Sequence, residues 1–142
     1  MYHWDSTLET GYPKVDNQHK QLIAALNDLI DANKGGHGDS AILETLDFLV
    51  NYTMKHFSDE EALQVMYEYP EYAGHKRIHD DFKVTVGEIV KRVKDEGPSE
   101  SLISEVCKSL GNWVVKHIRG DDFRMAAYVK AIDNSFQEPD SL

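Results

Sequence analysis

The 142-residue chain has a single cysteine, Cys107, so no disulfide within it can staple the fold, and a lone thiol suits a reducing cytoplasm. It has no apolar run approaching the ~20 residues that a bilayer crossing needs. Its start, Met1-Tyr2-His3-Trp4-Asp5, lacks the basic region and apolar stretch of a secretion signal. Basic residues are in deficit: 15 Lys and Arg face 25 Asp and Glu, for a net charge of −10. Such a surface repels phosphate backbones and gains nothing from an anionic membrane, which argues against nucleic-acid partners and membrane insertion. Internal repeats and low-complexity tracts are also missing. With 41% hydrophobic and 28% charged residues, the chain has the composition of one globular domain over 1–142, large enough for a core of its own. What it has in excess is histidine, with seven.

Apolar residues recur at helical spacing in four long segments, at about Asp16–Asn33, Ser40–Met66, Tyr72–Lys94 and Ser99–Arg119. Asp16 is expected to cap the first, Gly35-Gly36 to end it, Tyr69-Pro70 to end the second, and Gly97-Pro98 the third. Gly120 interrupts the fourth, and a shorter helix from Phe123 to about Ile132 follows. No stretch alternates with period two. The pattern predicts an all-α, antiparallel up-down four-helix bundle with a short C-terminal helix. Residues 1–15 are expected to form an extended arm, 16–132 the bundle, and 133–142 a loose tail.

Five of the seven histidines lie on the apolar stripes, and each long segment contributes. The first gives His19, the second His56 with Glu60, the third His75 with His79, and the fourth His117, with Asp121 and Asp122 just beyond. Residues four apart share a helix face, so His56 and Glu60 can serve one site, and so can His75 and His79. A core histidine satisfied by one hydrogen bond is the ordinary reading of any of these alone. For all five with a carboxylate it fails, because each unsatisfied buried polar group costs several kcal/mol and few other partners are on offer. A metal is the economical common partner. One tetrahedral zinc needs four ligands, so a larger set points to two ions. Imidazole suits Fe, Cu, Ni and Zn, and a mixture with carboxylates favours iron. If Glu60 and one aspartate bridge the ions together with a solvent oxygen, two octahedral ions keep one open position for an outside ligand. Spacing alone favours Asp121 for that role, because Asp122 is rotated by ~140° from His117 on a regular helix.

Taken in order, Val15-Asp16-Asn17-Gln18-His19, His56-x-x-x-Glu60, His75-x-x-x-His79 and His117-x-x-x-x-Asp122 resemble the bacterial hemerythrin pattern, from Trp4 to about Val129. The resemblance implies a non-haem di-iron centre that binds O₂ reversibly. It implies that His75, His79 and His117 hold one iron, that His19 and His56 hold a second with the open position, and that Glu60 and Asp122 bridge beside an oxo or hydroxo group. It also implies an O₂ pocket walled by Leu22, Phe57, Trp113, Val114 and Ile118. It selects Asp122 over Asp121, which requires a local helix distortion, placed at Gly120 because glycine tolerates unusual dihedrals. Asp121 is then expected to point away from the stripe, toward solvent or the helix end, where replacement by alanine is nearly silent. Two departures touch no ligand: Phe123 follows the bridging aspartate where Lys is common, and Val114 stands where the family often has Leu.

His3 and His37 are expected to be exposed, Cys107 to be a buried hydrophobe, and Tyr67, Tyr69 and Tyr72 to pack one bundle end. The function expected is oxygen carriage, storage or sensing by a cytoplasmic monomer, without enzymatic activity. Its alternatives are a di-iron enzyme that reduces peroxide or nitric oxide, an O₂-sensing module of a longer signalling protein and, more weakly, iron storage. Neutral histidines favour reversible binding, whereas Glu-rich sets with Glu-x-x-His pairs mark the oxidising ferritin-like centres.

Overall fold

A computed structural model describes residues 1–136 of the chain. Five α-helices form among the described residues: α1 (Pro13–Lys34), α2 (Asp39–Met66), α3 (Tyr72–Glu96), α4 (Glu100–His117) and α5 (Phe123–Phe136). No strand occurs among the described residues. α1 packs on α2 and α4, α3 packs on the same two, and the connections are short, so direction alternates around the ring in the expected up-down bundle. None of the described helices is long and apolar enough to cross a membrane.

The boundaries depart from expectation in physically instructive ways. α1 starts at Pro13, whose fixed φ suits a first helical position, and the residue before it, Tyr12, makes no side-chain cap. Asp16 is therefore not the N-cap but sits inside the helix. It is buried and accepts hydrogen bonds from the Thr10 amide (2.8 Å), the Thr10 hydroxyl (2.7 Å) and the Gly11 amide (3.0 Å), tying the arm to the helix. Ser99 does cap α4, accepting from the Leu102 amide at 3.2 Å. Gly97 ends α3 at φ 87°, a left-handed conformation that a side chain would strain. α5 continues past Ile132 to Phe136; the rest of the expected tail, residues 137–142, lies outside the described residues.

One half of the bundle is dry. Leu26, Leu29, Ile42, Leu46, Val93, Ile103 and Val106 interlock there, each burial contributing roughly 1.5–3 kcal/mol. This half anchors the four helices so that the other, polar half can be held in register. The arm crosses α1 and α4. The Tyr2 amide donates to Asn27 Oδ1 at 2.9 Å, and Asn27 Nδ2 returns a bond to the Tyr2 carbonyl at 2.7 Å. The Tyr2 ring lies against Gly111, where a Cβ would come within 2.2 Å of it. Further along, Leu8 packs on Ile23, Val114 and Ile118. Gly111→Ala should therefore displace the arm while the helix itself gains propensity. We expect faster proteolytic cleavage before Pro13 with little change in helical circular dichroism; wild-type protease resistance would show that Tyr2 does not hold the arm.

Candidate metal centre

α4 does not end in a turn. His117 leads directly into a π-helical turn, Ile118–Asp122, that runs on into α5, and the Phe123 amide donates to the Ile118 carbonyl five residues back. The wider turn brings residue i+5 rather than i+4 onto the face of His117. Asp122 is thereby 1% exposed and turned inward, whereas Asp121 lies beside it at the rim. The distortion spans Gly120, as expected, but not by the expected means. Gly120 has no positive φ, and a Cβ there would meet only the end of Arg124 at 3.9 Å. The extra residue is absorbed by near-helical dihedrals, as at the flanking His117 (φ −65°, ψ −43°) and Phe123 (φ −62°, ψ −42°).

All four long helices and the π turn converge on one buried cluster. His75, His79, His117, Glu60 and Asp122 form one group and His19, His56, Glu60 and Asp122 a second, with the ligand atoms of each group within 4.8 Å of one another. The two carboxylates belong to both, and each turns one oxygen to each side. Glu60 Oε1 lies 3.0 Å from His75 Nε2 and 3.1 Å from His79 Nε2, while Oε2 lies 3.3 Å from His56 Nε2 and 3.7 Å from His19 Nε2. Asp122 Oδ1 lies 3.1 Å from His75 Nε2 and 3.2 Å from His117 Nε2, and Oδ2 lies 3.0 Å from His19 Nε2. The Nε2 atoms of His79 and His117 also face each other at 3.1 Å.

Three of the rings are locked from outside the cluster, by residues that sequence reasoning missed or misplaced. His56 Nδ1 donates to Gln18 Oε1 at 2.7 Å; that amide is oriented because its Nε2 donates to Asp59 at 2.9 Å. His79 Nδ1 donates to Glu61 Oε2 at 2.9 Å, and His117 Nδ1 to Asp121 Oδ2 at 2.9 Å. Each acceptor fixes the Nδ1–H tautomer and leaves the Nε2 lone pair facing inward, the arrangement a ligating imidazole needs. Asp121 does point away from the cluster and pairs with Arg124 at the rim, but its bond to His117 gives it a positioning role that was not expected. Gln18, Glu61 and Asp121 leave a sequence signal: each is the chain neighbour of a cluster residue (His19, Glu60 and Asp122), and Asp121 also lies four residues beyond His117.

Charge in the cluster is balanced without satisfying its geometry. Burial lowers the His19 pKa, but Asp122 and Glu60 outweigh it and raise the group to about 9; the same pair raises His75 to about 10 against its burial. Burial likewise pushes Glu60 up, yet His56, His19 and His75 outweigh it and hold its carboxyl well below the usual range. Nevertheless, both ring nitrogens of His19, Glu60 Oε2 and both oxygens of Asp122 are buried without a properly directed hydrogen bond. Orphaned atoms of this kind cost about 1–3 kcal/mol each unless something else binds them. Five imidazoles and two shared carboxylates, gathered into two overlapping groups, are a donor set that can hold metal once the protonated rings give up their protons.

The expected pocket residues divide. Leu22 and Val114 line a narrow apolar cavity of about 10 Å³ in the layer next to the cluster, with Thr53 and Phe82. Ile118 packs with Leu8 and Ile23. Phe57 and Trp113 instead stack on histidines of the larger group: the Phe57 ring lies 3.9 Å from that of His79 and the Trp113 ring 4.5 Å from that of His117. His3 and His37 are exposed, Cys107 is buried, and Tyr67, Tyr69 and Tyr72 pack with Val15, Leu63, Met125 and Val129.

Residues 10–129 match the family described as the Hemerythrin HHE cation binding domain. The chain belongs to the hemerythrin family. It is 38% identical over 135 residues to a bacteriohemerythrin of Pseudomonas aeruginosa, covering 95% of this chain and 84% of the relative. A myohemerythrin of Theromyzon tessulatum is 35% identical over 123 residues, covering 87% of this chain and 89% of that one. The fold is also that of a hemerythrin point mutant solved by crystallography, with a TM-score of 0.80 at 24% identity over 91% of this chain and 97% of the other. The family match covers the whole cluster, from His19 to Asp122.

Proposed function

We propose that this hemerythrin holds two iron ions and binds dioxygen reversibly, as a carrier, store or sensor rather than as an enzyme. The observation that carries the reading is the division of five histidines into three and two about a pair of shared carboxylates. His75, His79 and His117 would hold one ion and His19 and His56 the other, with Glu60 and Asp122 shared between the two. The smaller group offers fewer imidazoles, so its ion would keep room for an outside ligand. Iron bound there in its reduced state would supply the electrons for holding dioxygen.

The chain's own residues do the rest. Gln18, Glu61 and Asp121 keep His56, His79 and His117 in the ligating tautomer. Leu8, Leu22, Ile23, Val114 and Ile118 keep water from the His19 side, which slows proton entry and loss of the bound ligand. Neutral imidazoles outnumber carboxylates, which favours reversible binding over strong oxidation. The buried single Cys107 suits a reducing cytoplasm.

Purified protein should carry close to two irons per chain, and anaerobically reduced protein should develop a visible band with O₂ that disappears on its removal. Steady O₂ consumption with an electron donor would instead indicate an enzyme. One iron per chain, or zinc in its place, would remove the di-iron reading.

A further inference from the structure

The seven side chains of the cluster are between 0% and 5% exposed, so a metal ion needs a way in. A surface cleft of about 310 Å³ supplies one: Tyr69, Glu71, Gly74, His75, Ile78, Asp121 and Arg124 line it. His75 is a member of the cluster, and Asp121 is hydrogen-bonded to another, His117. The cavities under the arm, beside Trp113 and in the core carry none of the seven on their walls. His75 is 4% exposed, with Nε2 turned inward to Glu60 and Asp122 and no hydrogen bond at Nδ1 among the described residues. Its neighbour Gly74 lines the cleft and faces open space, since a Cβ there would meet nothing within 4 Å, so a larger side chain at this position would intrude on the cleft. Across the mouth, the half-exposed Arg124 pairs with Asp121.

We propose that this cleft is the port through which divalent metal ions enter and leave the centre. The inference rests on the metal-site reading above. A chain of net charge −10 concentrates cations at its surface, and at this cleft they meet the carboxylates of Glu71 and Asp121. Arg124 opposes them by charge and occupies Asp121, so its displacement is the opening step. An ion that replaces Arg124 beside Asp121 lies on the cleft wall shared with His75, one side chain from the cluster. No bond to carbon or change of oxidation state is involved; the ion exchanges water for protein ligands and the ligands lose protons.

A port changes rates in both directions and leaves the equilibrium alone. The test uses metal-free full-length protein, Fe²⁺ under anaerobic conditions for uptake, and a strong chelator for removal. Gly74→Leu fills open space in a helix and should slow uptake and removal alike by about tenfold, ~1.4 kcal/mol of barrier, with the final iron content unchanged. Arg124→Ala should speed both. Wild-type rates in Gly74→Leu, or slowing in one direction only, would overturn the port. Should Gly74→Leu fail to fold, unchanged rates in Arg124→Ala would overturn it equally. A wild-type chain that takes up no iron would remove the metal-site reading itself, a result distinct from unchanged variant rates.

Discussion

Asp122→Ala should strip the protein of iron or leave it with less than one ion per chain, whereas Asp121→Ala should keep the site but weaken it. The two aspartates are neighbours with different tasks. Asp122 is buried, has an oxygen toward each group of histidines, and under the di-iron reading supplies one bond to each ion and part of the negative charge that lets two cations sit together. Alanine removes all of that and leaves His19, His75 and His117 without the carboxylate they share. Asp121 touches the centre only through His117 Nδ1. Its loss frees that ring to rotate and change tautomer, for which about 10- to 100-fold in metal affinity is the usual effect. Asp121→Asn retains an acceptor oxygen and should recover most of it. The measurements are iron content and affinity for each variant, with circular dichroism to establish that all three fold. Full iron content in Asp122→Ala would mean that Asp122 does not bridge, and wild-type affinity in Asp121→Ala would mean that the hydrogen bond to His117 carries no weight.

The pair also shows how far a sequence can be read. Periodicity sufficed for the four long helices, because their apolar stripes are long and Gly or Pro punctuates the ends of the first three. The i, i+4 spacing of His56 with Glu60 and of His75 with His79 translated directly into shared faces, since both pairs lie in regular helix. His117 and Asp121 obey the same rule, and their contact exists, but it is a hydrogen bond on the outer side of the ring. The inward carboxylate is reached only through a π turn. A π turn has no spacing signature of its own, and there the family resemblance was needed to choose Asp122. Asp16 misled for a different reason: Pro13, three residues earlier, had already started the helix, and its carboxylate went to the arm instead. Phe57 and Trp113 are beside the cluster as expected, yet their stacking on His79 and His117 depends on ring orientation, which sequence does not encode locally. The cleft over His75 was illegible because α3 and α5 build it together, far apart in the chain.

Removing the metal should lower the melting temperature by roughly 10–15 °C, and that gap should widen as the pH rises from about 6 to about 8. A ligand present at a thousandfold excess over its Kd stabilises the folded state by ~4 kcal/mol, and a domain of this size shifts by about 2–4 °C per kcal/mol. The pH dependence follows from the metal-free cluster. His19 and His75 are raised from 6.5 to about 9 and about 10, so their ion pairs stabilise fully below pH 6.5 and are lost as the pH climbs through those higher values. Glu60 and Asp122 are lowered from 4.5 and 3.8; their contribution is complete above those values and is lost only as the pH falls through the depressed range. The metal-free chain is therefore best supported between about pH 4.5 and 6.5 by the titration of these groups. Metal binding runs the other way. Each histidine must give up its proton before it can ligate, so the proton and the metal compete for the same nitrogens, and affinity rises with pH until those protons are gone. The two trends act in the same direction on the difference between loaded and metal-free protein. Thermal denaturation of both forms under anaerobic conditions, at several pH values across this range, measures it. A gap that stays constant or narrows with rising pH would mean that His19 and His75 are not protonated by their carboxylates in the metal-free chain, or that they do not bind the metal.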